Sequence, residues 1–174
     1  PHVETVLYEE RAEAENLMEI LSKYDFIIDA VDSFASKFLI NDACVLAKKP
    51  FCHGGIREFQ GQVLTYVPGC GPCYRCIFEE IPADGQIDSC SQAGVLGTMP
   101  GIIGSLQALE AQKYLLGTGD LLTGAMLVFD GLSMDFRKVK FSKASPSCRV
   151  CGEEADIKTL EKSEYEVVAA CQWK

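Results

Sequence analysis

No run of lysine or arginine occurs in this 174-residue sequence, and its formal net charge is −9. That balance argues against a phosphate-backbone partner such as DNA or RNA, because nucleic-acid binders carry a basic patch. No apolar run is long and clean enough to span a bilayer. The most apolar helical stretch, 99–116, is interrupted by Gln107, Glu110, Gln112 and Lys113. No charged start followed by an apolar core marks a secretory signal. The chain opens Pro1-His2-Val3 without a methionine, which points to a processed or cut chain. Internal repeats are absent too. What is present is apolar content of 48%, enough for the chain to fold rather than remain disordered. Its length suits one compact domain.

Cysteine, by contrast, is abundant. The nine are Cys44, Cys52, Cys70, Cys73, Cys76, Cys90, Cys148, Cys151 and Cys171. An odd count, paired C-x-x-C spacing and no secretion signal point to metal and reduced thiols rather than a disulfide framework. A cytoplasmic location follows as the default expectation.

Hydrophobic periodicity predicts a short strand at 3–8 and an amphipathic helix at 12–24, with Leu17, Ile20, Leu21 and Tyr24 on one face. The run 26–31 reads as a buried parallel strand. A helix is expected from Phe34 to about Ala47, capped by Asp32 or Ser33, with Pro50 beyond its end. Strands follow at 51–56 and 62–67. The early alternation implies an α/β fold with a parallel sheet. Residues 68–97, rich in Gly, Pro, Cys and Asp, read as a long loop, and such loops are usually functional or tied down. A helix then runs to Leu116, with Thr98 as N-cap, Pro100 in its first turn and Gly117 at its C-cap. Gly101, Gly104 and Ser105 give it a small-residue face for close packing. Two strands, 126–130 and 136–141, close the fold. Residues 1–152 form the domain, and 153–174 a polar tail.

The strongest chemical signal is the pairing of Cys73-Tyr74-Arg75-Cys76 with Cys148-Arg149-Val150-Cys151. Two residues between cysteines let one tight turn aim both sulfurs at a single ion, and two such turns supply the four tetrahedral ligands of zinc. Four thiolates leave no open position, so the zinc would be structural. It would staple the long loop to the chain's end, where little apolar core is expected, at a gain on the order of 10 kcal/mol. The competing reading is two unrelated redox or free-thiol pairs.

Further motifs stand together. Asp29-Ala30-Val31-Asp32-Ser33-Phe34, followed by Lys37 and Asn41, resembles the Asp-x-x-Asp pattern of the ThiF/MoeB/HesA family, the bacterial relatives of ubiquitin-activating enzymes. The stretches 50–62, 89–97 and 101–110 fit the same family, and both C-x-x-C pairs sit where it places its zinc. The resemblance implies a partial Rossmann-like sheet with mixed strands. It also implies a reaction: ATP adenylates the C-terminal glycine of a ubiquitin-like sulfur carrier, and sulfur then replaces AMP.

Within that resemblance Asp32 is the expected catalytic residue. It lies at the carboxyl end of an apolar strand, where open α/β sheets bind ligands, and a hard carboxylate there suits Mg on the ATP phosphates. The plain alternative is a helix N-cap. Lys37 is a second candidate nucleotide contact, or only a solvated helix charge; Asp29 is a weaker candidate, or only the end of its strand. Cys90 matches the family cysteine that can bond covalently to the carrier, or is an inert loop thiol. Arg57 and Gln62 either contact the carrier or brace the sheet. His53 is expected to pack in the core, and Cys44, Cys52 and Cys70 to be small apolar fillers.

One part of the family pattern is missing: no glycine-rich strand-to-helix turn for phosphates precedes Pro1. The chain is therefore expected to be a fragment, inactive alone, with an exposed sheet edge and a partner, the family being commonly homodimeric. A zinc-stapled binding module for a ubiquitin-like partner is the alternative function. A nicotinamide-dependent oxidoreductase fits only the α/β pattern.

Overall fold

A computed structural model describes residues 2–83, 94–141 and 143–165. Helix α1 (Leu17–Ser22) precedes strand β1 (Ile27–Asp29), helix α2 (Phe34–Leu46) and strands β2 (Phe51–Arg57) and β3 (Gln60–Tyr66). Helices α3 (Tyr74–Phe78) and α4 (Thr98–Leu116), then strands β4 (Ala125–Asp130) and β5 (Asp135–Lys140), complete the main body. The five strands lie in chain order, β1-β2-β3-β4-β5.

Only the first pair is parallel. Ile27 faces Phe51 and Asp29 faces His53, with α2 as the crossover that a parallel connection requires. The remaining pairs are antiparallel, so the parallel sheet read from the early alternation gives way to the mixed sheet that the family resemblance implied. The β2–β3 turn is tight: Arg57 pairs with Gln60 across Glu58-Phe59, and Glu58 takes a positive φ of 51°.

Alternation along β2 and β3 divides the core. Phe51, Leu64 and Tyr66 face one side and pack with Leu17, Leu21, Phe38 and Tyr74. Cys52 and Val63 face the other and pack with Met99, Ile103 and Phe129. Successive strand side chains point to opposite faces, so one short hairpin serves two cores. Helix α4 meets the second with Met99, Ile103, Gln107 and Glu110, all on one helical stripe. Gln107 fits because position 54 is glycine; a Cβ there would come within 2.5 Å of the Gln107 amide.

Several expectations change. Residues 3–8 form no strand, and 3–7 lie exposed, Val3 at 90% and Leu7 at 80%; apolar alternation alone supplies no partner edge. The helix expected over 12–24 contracts to the six residues that bury Leu17 and Leu21. Inside the expected long loop, α3 forms directly after Cys73. The small-residue face of α4 packs against nothing among the described residues: a Cβ at Gly101 or Gly104 would meet open space. Cys44 and Cys52 are buried fillers, whereas Cys70 is exposed. The segment after Cys151 packs back onto the core, with Ile157 buried and Tyr165 against it.

Candidate metal centre and cleft

The two C-x-x-C turns meet. Cys73 begins α3, so Cys76 lies one turn further on the same side, and their sulfurs are 3.7 Å apart. Cys148 Sγ lies 3.6 Å and Cys151 Sγ 3.5 Å from Cys73 Sγ, and Cys76 and Cys151 are 3.3 Å apart. A tetrahedral ion with bonds of about 2.3 Å to sulfur requires edges of roughly 3.8 Å, so the set fits zinc with little adjustment. The Ser145 N–H donates to Cys76 Sγ at 3.4 Å, a contact suited to a thiolate. Hydrogen bonds with Cys148, then with Cys151 and Cys76, push the Cys73 thiol up; four thiolates this close together would need a cation between them.

The surroundings of this centre are not poor in apolar core. Tyr74, Val150 and Ile157 are buried there with Cys73 and Cys148. Arginines inside both turns tie it to its neighbours. Arg75 bonds Asp42 of α2, and Arg149 bonds Asp156 and Glu164. A Cβ at Gly152 would lie 2.6 Å from the Cys148 carbonyl oxygen, so the second turn closes only around glycine.

Asp32 lies elsewhere, just past β1. It is exposed and lines an open cleft of about 500 Å³ with Arg11, Ser33, Ser36, Leu39 and Ile40. The N-cap of α2 is Ser33, whose Oγ accepts the Ser36 N–H at 3.1 Å. Asp32 is thereby free of capping duty. Its carboxylate and two neighbouring hydroxyls are the hard oxygen donors that suit Mg.

Lys37 does not line the cleft and is not a solvated charge. It is buried, with Nζ donating to the Gly54 carbonyl at 2.7 Å and lying 3.5 Å from Asp29 Oδ2. Asp29 also accepts from His53 Nδ1 at 2.7 Å. Burial alone raises the Asp29 carboxyl, but the bond from His53 and the charge of Lys37 outweigh it and leave the group below its ordinary value. Burial holds the His53 imidazole below its own ordinary value, so the ring is neutral. An ionised Asp29 can only accept, so Nδ1 carries the ring proton, and Nε2 accepts from Gln62 Nε2 at 3.4 Å. Gln62 thus braces the sheet interior, and His53 packs in the core as expected. Sequence reasoning missed that Asp29, His53 and Lys37 are one group. The only hint was a charge ending an apolar strand. Cys90 lies outside the described residues.

The ThiF family pattern matches residues 1–150. The chain is 45% identical over 165 residues to a sulfur carrier protein adenylyltransferase of Thermus thermophilus, covering 92% of this chain and 60% of that protein. It is 40% identical over 165 residues to the SAMP-activating enzyme E1 of Haloferax volcanii, covering 95% of this chain and 60% of that protein. Against the adenylyltransferase and sulfurtransferase MOCS3 of Drosophila virilis, identity is 41% over 161 residues, and the shares are 92% and 36%. The chain therefore spans about 60% or less of these relatives. In fold it is similar to the crystal structure of E. coli MccB, with a TM-score of 0.62 at 19% identity, over 78% of this chain and 42% of MccB.

Proposed function

The chain belongs to the ThiF family, and from that membership we propose that the protein carrying it is an adenylyltransferase that activates the C-terminal glycine carboxylate of a ubiquitin-like sulfur carrier with ATP. A carboxylate oxygen of the carrier bonds to the α-phosphorus as the bond to pyrophosphate breaks, and a sulfur nucleophile later displaces AMP. The names and the 40–45% identity of the Thermus and Haloferax relatives support this reading.

The observation that carries it on this chain is the placement of Asp32. It is exposed at the carboxyl end of β1, lines the cleft, and has no structural duty there because Ser33 caps α2. Asp32 is the residue that would hold Mg, which when bound offsets the phosphate charge. Lys37 contributes indirectly in this proposal, as the buried cation beside Asp29. Zinc at Cys73, Cys76, Cys148 and Cys151 is structural in this proposal, since four thiolates leave no position open for a reactant.

The same proposal includes a covalent carrier bond at Cys90, a homodimer and a cytoplasmic location. Exposed Phe59, Leu132, Met134 and Phe136, around two hairpin turns joined by the bond from Gly131 N–H to the Phe59 carbonyl, support a protein partner. No helix among the described residues is long and apolar enough to cross a membrane. The test is ATP–pyrophosphate exchange by the full-length protein with purified carrier. Carrier-dependent exchange is expected; carrier binding without any exchange would favour a binding module instead.

A further inference from the structure

Asp32 leaves β1 on a short turn, and that turn is fastened from below. Asp29 Oδ1 accepts the Val31 N–H at 3.1 Å, one residue before Asp32. The other oxygen, Oδ2, takes the His53 Nδ1 proton at 2.7 Å and faces Lys37 Nζ at 3.5 Å. From the opposite face, Gln107 Nε2 donates to the Asp29 carbonyl at 2.7 Å and to the Cys52 carbonyl at 3.0 Å. Side chains from α2, β2 and α4 thus converge on one aspartate, and Gln62 of β3 holds the far side of the His53 ring.

Stability alone gives weak reason for this arrangement. Asp29, His53 and Lys37 are 1%, 0% and 7% exposed. A buried ion pair is often no more stabilising than apolar side chains of the same volume. What apolar side chains cannot do is hold a backbone N–H at a chosen point. Asp29 does that, and its own orientation follows from the two donors on its second oxygen.

We propose that Asp29, oriented by His53 and Lys37, is the positioning residue for Asp32: it pins the Val31 N–H and so sets how Asp32 presents its carboxylate to the cleft. The functional part of this inference rests on the reading of Asp32 as the cation-holding residue. The structural part, a local hold on residues 30–33, stands apart from it. Groups that orient a metal-holding residue commonly matter 10- to 100-fold in metal affinity or activity.

The test compares His53→Asn with His53→Gln in the full-length protein. Both replace the ring with an amide. Asn puts its nitrogen near the place of Nδ1, within reach of Asp29, whereas Gln puts it near the place of Nε2. Two quantities are read: amide hydrogen exchange across residues 30–33, and the Mg concentration and KM for ATP in pyrophosphate exchange. His53→Asn is expected to match the wild type in both. His53→Gln is expected to lose amide protection at 30–33 only, and to raise the Mg requirement roughly 10- to 100-fold with a far smaller change in kcat at saturating Mg. Equal behaviour of the two variants overturns the proposal, as does protection lost throughout the chain in His53→Gln, which would make His53 a general folding residue. If His53→Gln does not fold, Lys37→Gln removes the second hold on the same oxygen. A local rise in exchange at 30–33 is then expected, and its absence overturns the proposal. A wild type with no pyrophosphate exchange sinks the adenylation reading, while the amide-exchange contrast still decides the hold on the turn.

Discussion

Arg75, set between the first two cysteines of the four-cysteine cluster, grips Asp42 of α2 with two parallel hydrogen bonds, Nε to Oδ1 at 3.1 Å and Nη2 to Oδ2 at 2.6 Å. Both side chains are buried. The Tyr165 hydroxyl donates to the same Oδ2 at 2.8 Å, and the guanidinium lies 4.7 Å from the centre of the Phe38 ring. One carboxylate therefore joins the four-cysteine cluster, α2 and the segment after Cys151. Asp42→Ala is expected to destabilise the protein by about 3–5 kcal/mol, because it leaves Arg75 buried and unpaired. The double variant Arg75→Met with Asp42→Leu is expected to recover most of that loss. Urea unfolding of the metal-loaded protein measures both.

One zinc ion per chain is expected by elemental analysis, and Cys148→Ser is expected to lower that content and the melting temperature together. Chelation of the wild type is expected to give the same loss of stability, because binding energy at such a site is folding energy. A chelated protein that melts at the wild-type temperature would count against a structural metal.

Asp32 and Ser33 are adjacent and are expected to separate function from stability. Asp32→Ala, at an exposed position without capping duty, should change stability by less than about 0.5 kcal/mol and remove ATP–pyrophosphate exchange. Ser33→Ala should cost about 1 kcal/mol through the lost cap on the Ser36 N–H and leave part of the exchange activity. Thermal melting and exchange assays on both variants check the contrast.

Acid should weaken the fold in a defined order. His53 is held below its ordinary value of 6.5, so the unfolded chain binds the proton more readily. Its contribution is therefore fully present above about pH 6.5 and is lost as pH falls through the folded-state value. Asp29, held below its ordinary 3.8, adds a second loss at lower pH by the same sign. The groups facing His53 are Asp29, Lys37, Gln62 and the Tyr74 ring. Below about pH 6.5, until the folded-state value is passed, stability should fall by up to about 1.4 kcal/mol per pH unit from this one site. His53→Asn should flatten that slope; an unchanged slope would place the acid sensitivity elsewhere.

Much of this was legible along the chain, wherever the signal was local. The spacing Cys73-x-x-Cys76 and Cys148-x-x-Cys151 picked out four cysteines that the fold does bring together, because two-residue turns leave few other uses for such pairs. Helices α2 and α4 and strands β2 to β5 were found to within about two residues, since period and capping act over one or two turns. The motif around Asp32 carried the family resemblance, which the match over residues 1–150 bears out.

What the sequence could not supply was anything decided by partners far apart in the chain. A strand is made by the edge beside it, so residues 3–8, with a strand-like pattern, pair with none, and 3–7 remain exposed. Lys37 read as a nucleotide contact or a solvated helix charge, until β2 brought the Gly54 carbonyl and the β1–β2 pairing brought Asp29 and His53 around it. The cysteines therefore declared themselves in one dimension, because turn geometry is local. The hold on Asp32 exists only in three, because it is assembled from α2, β1, β2 and α4, and a buried charge depends for its partners on the packing of all four.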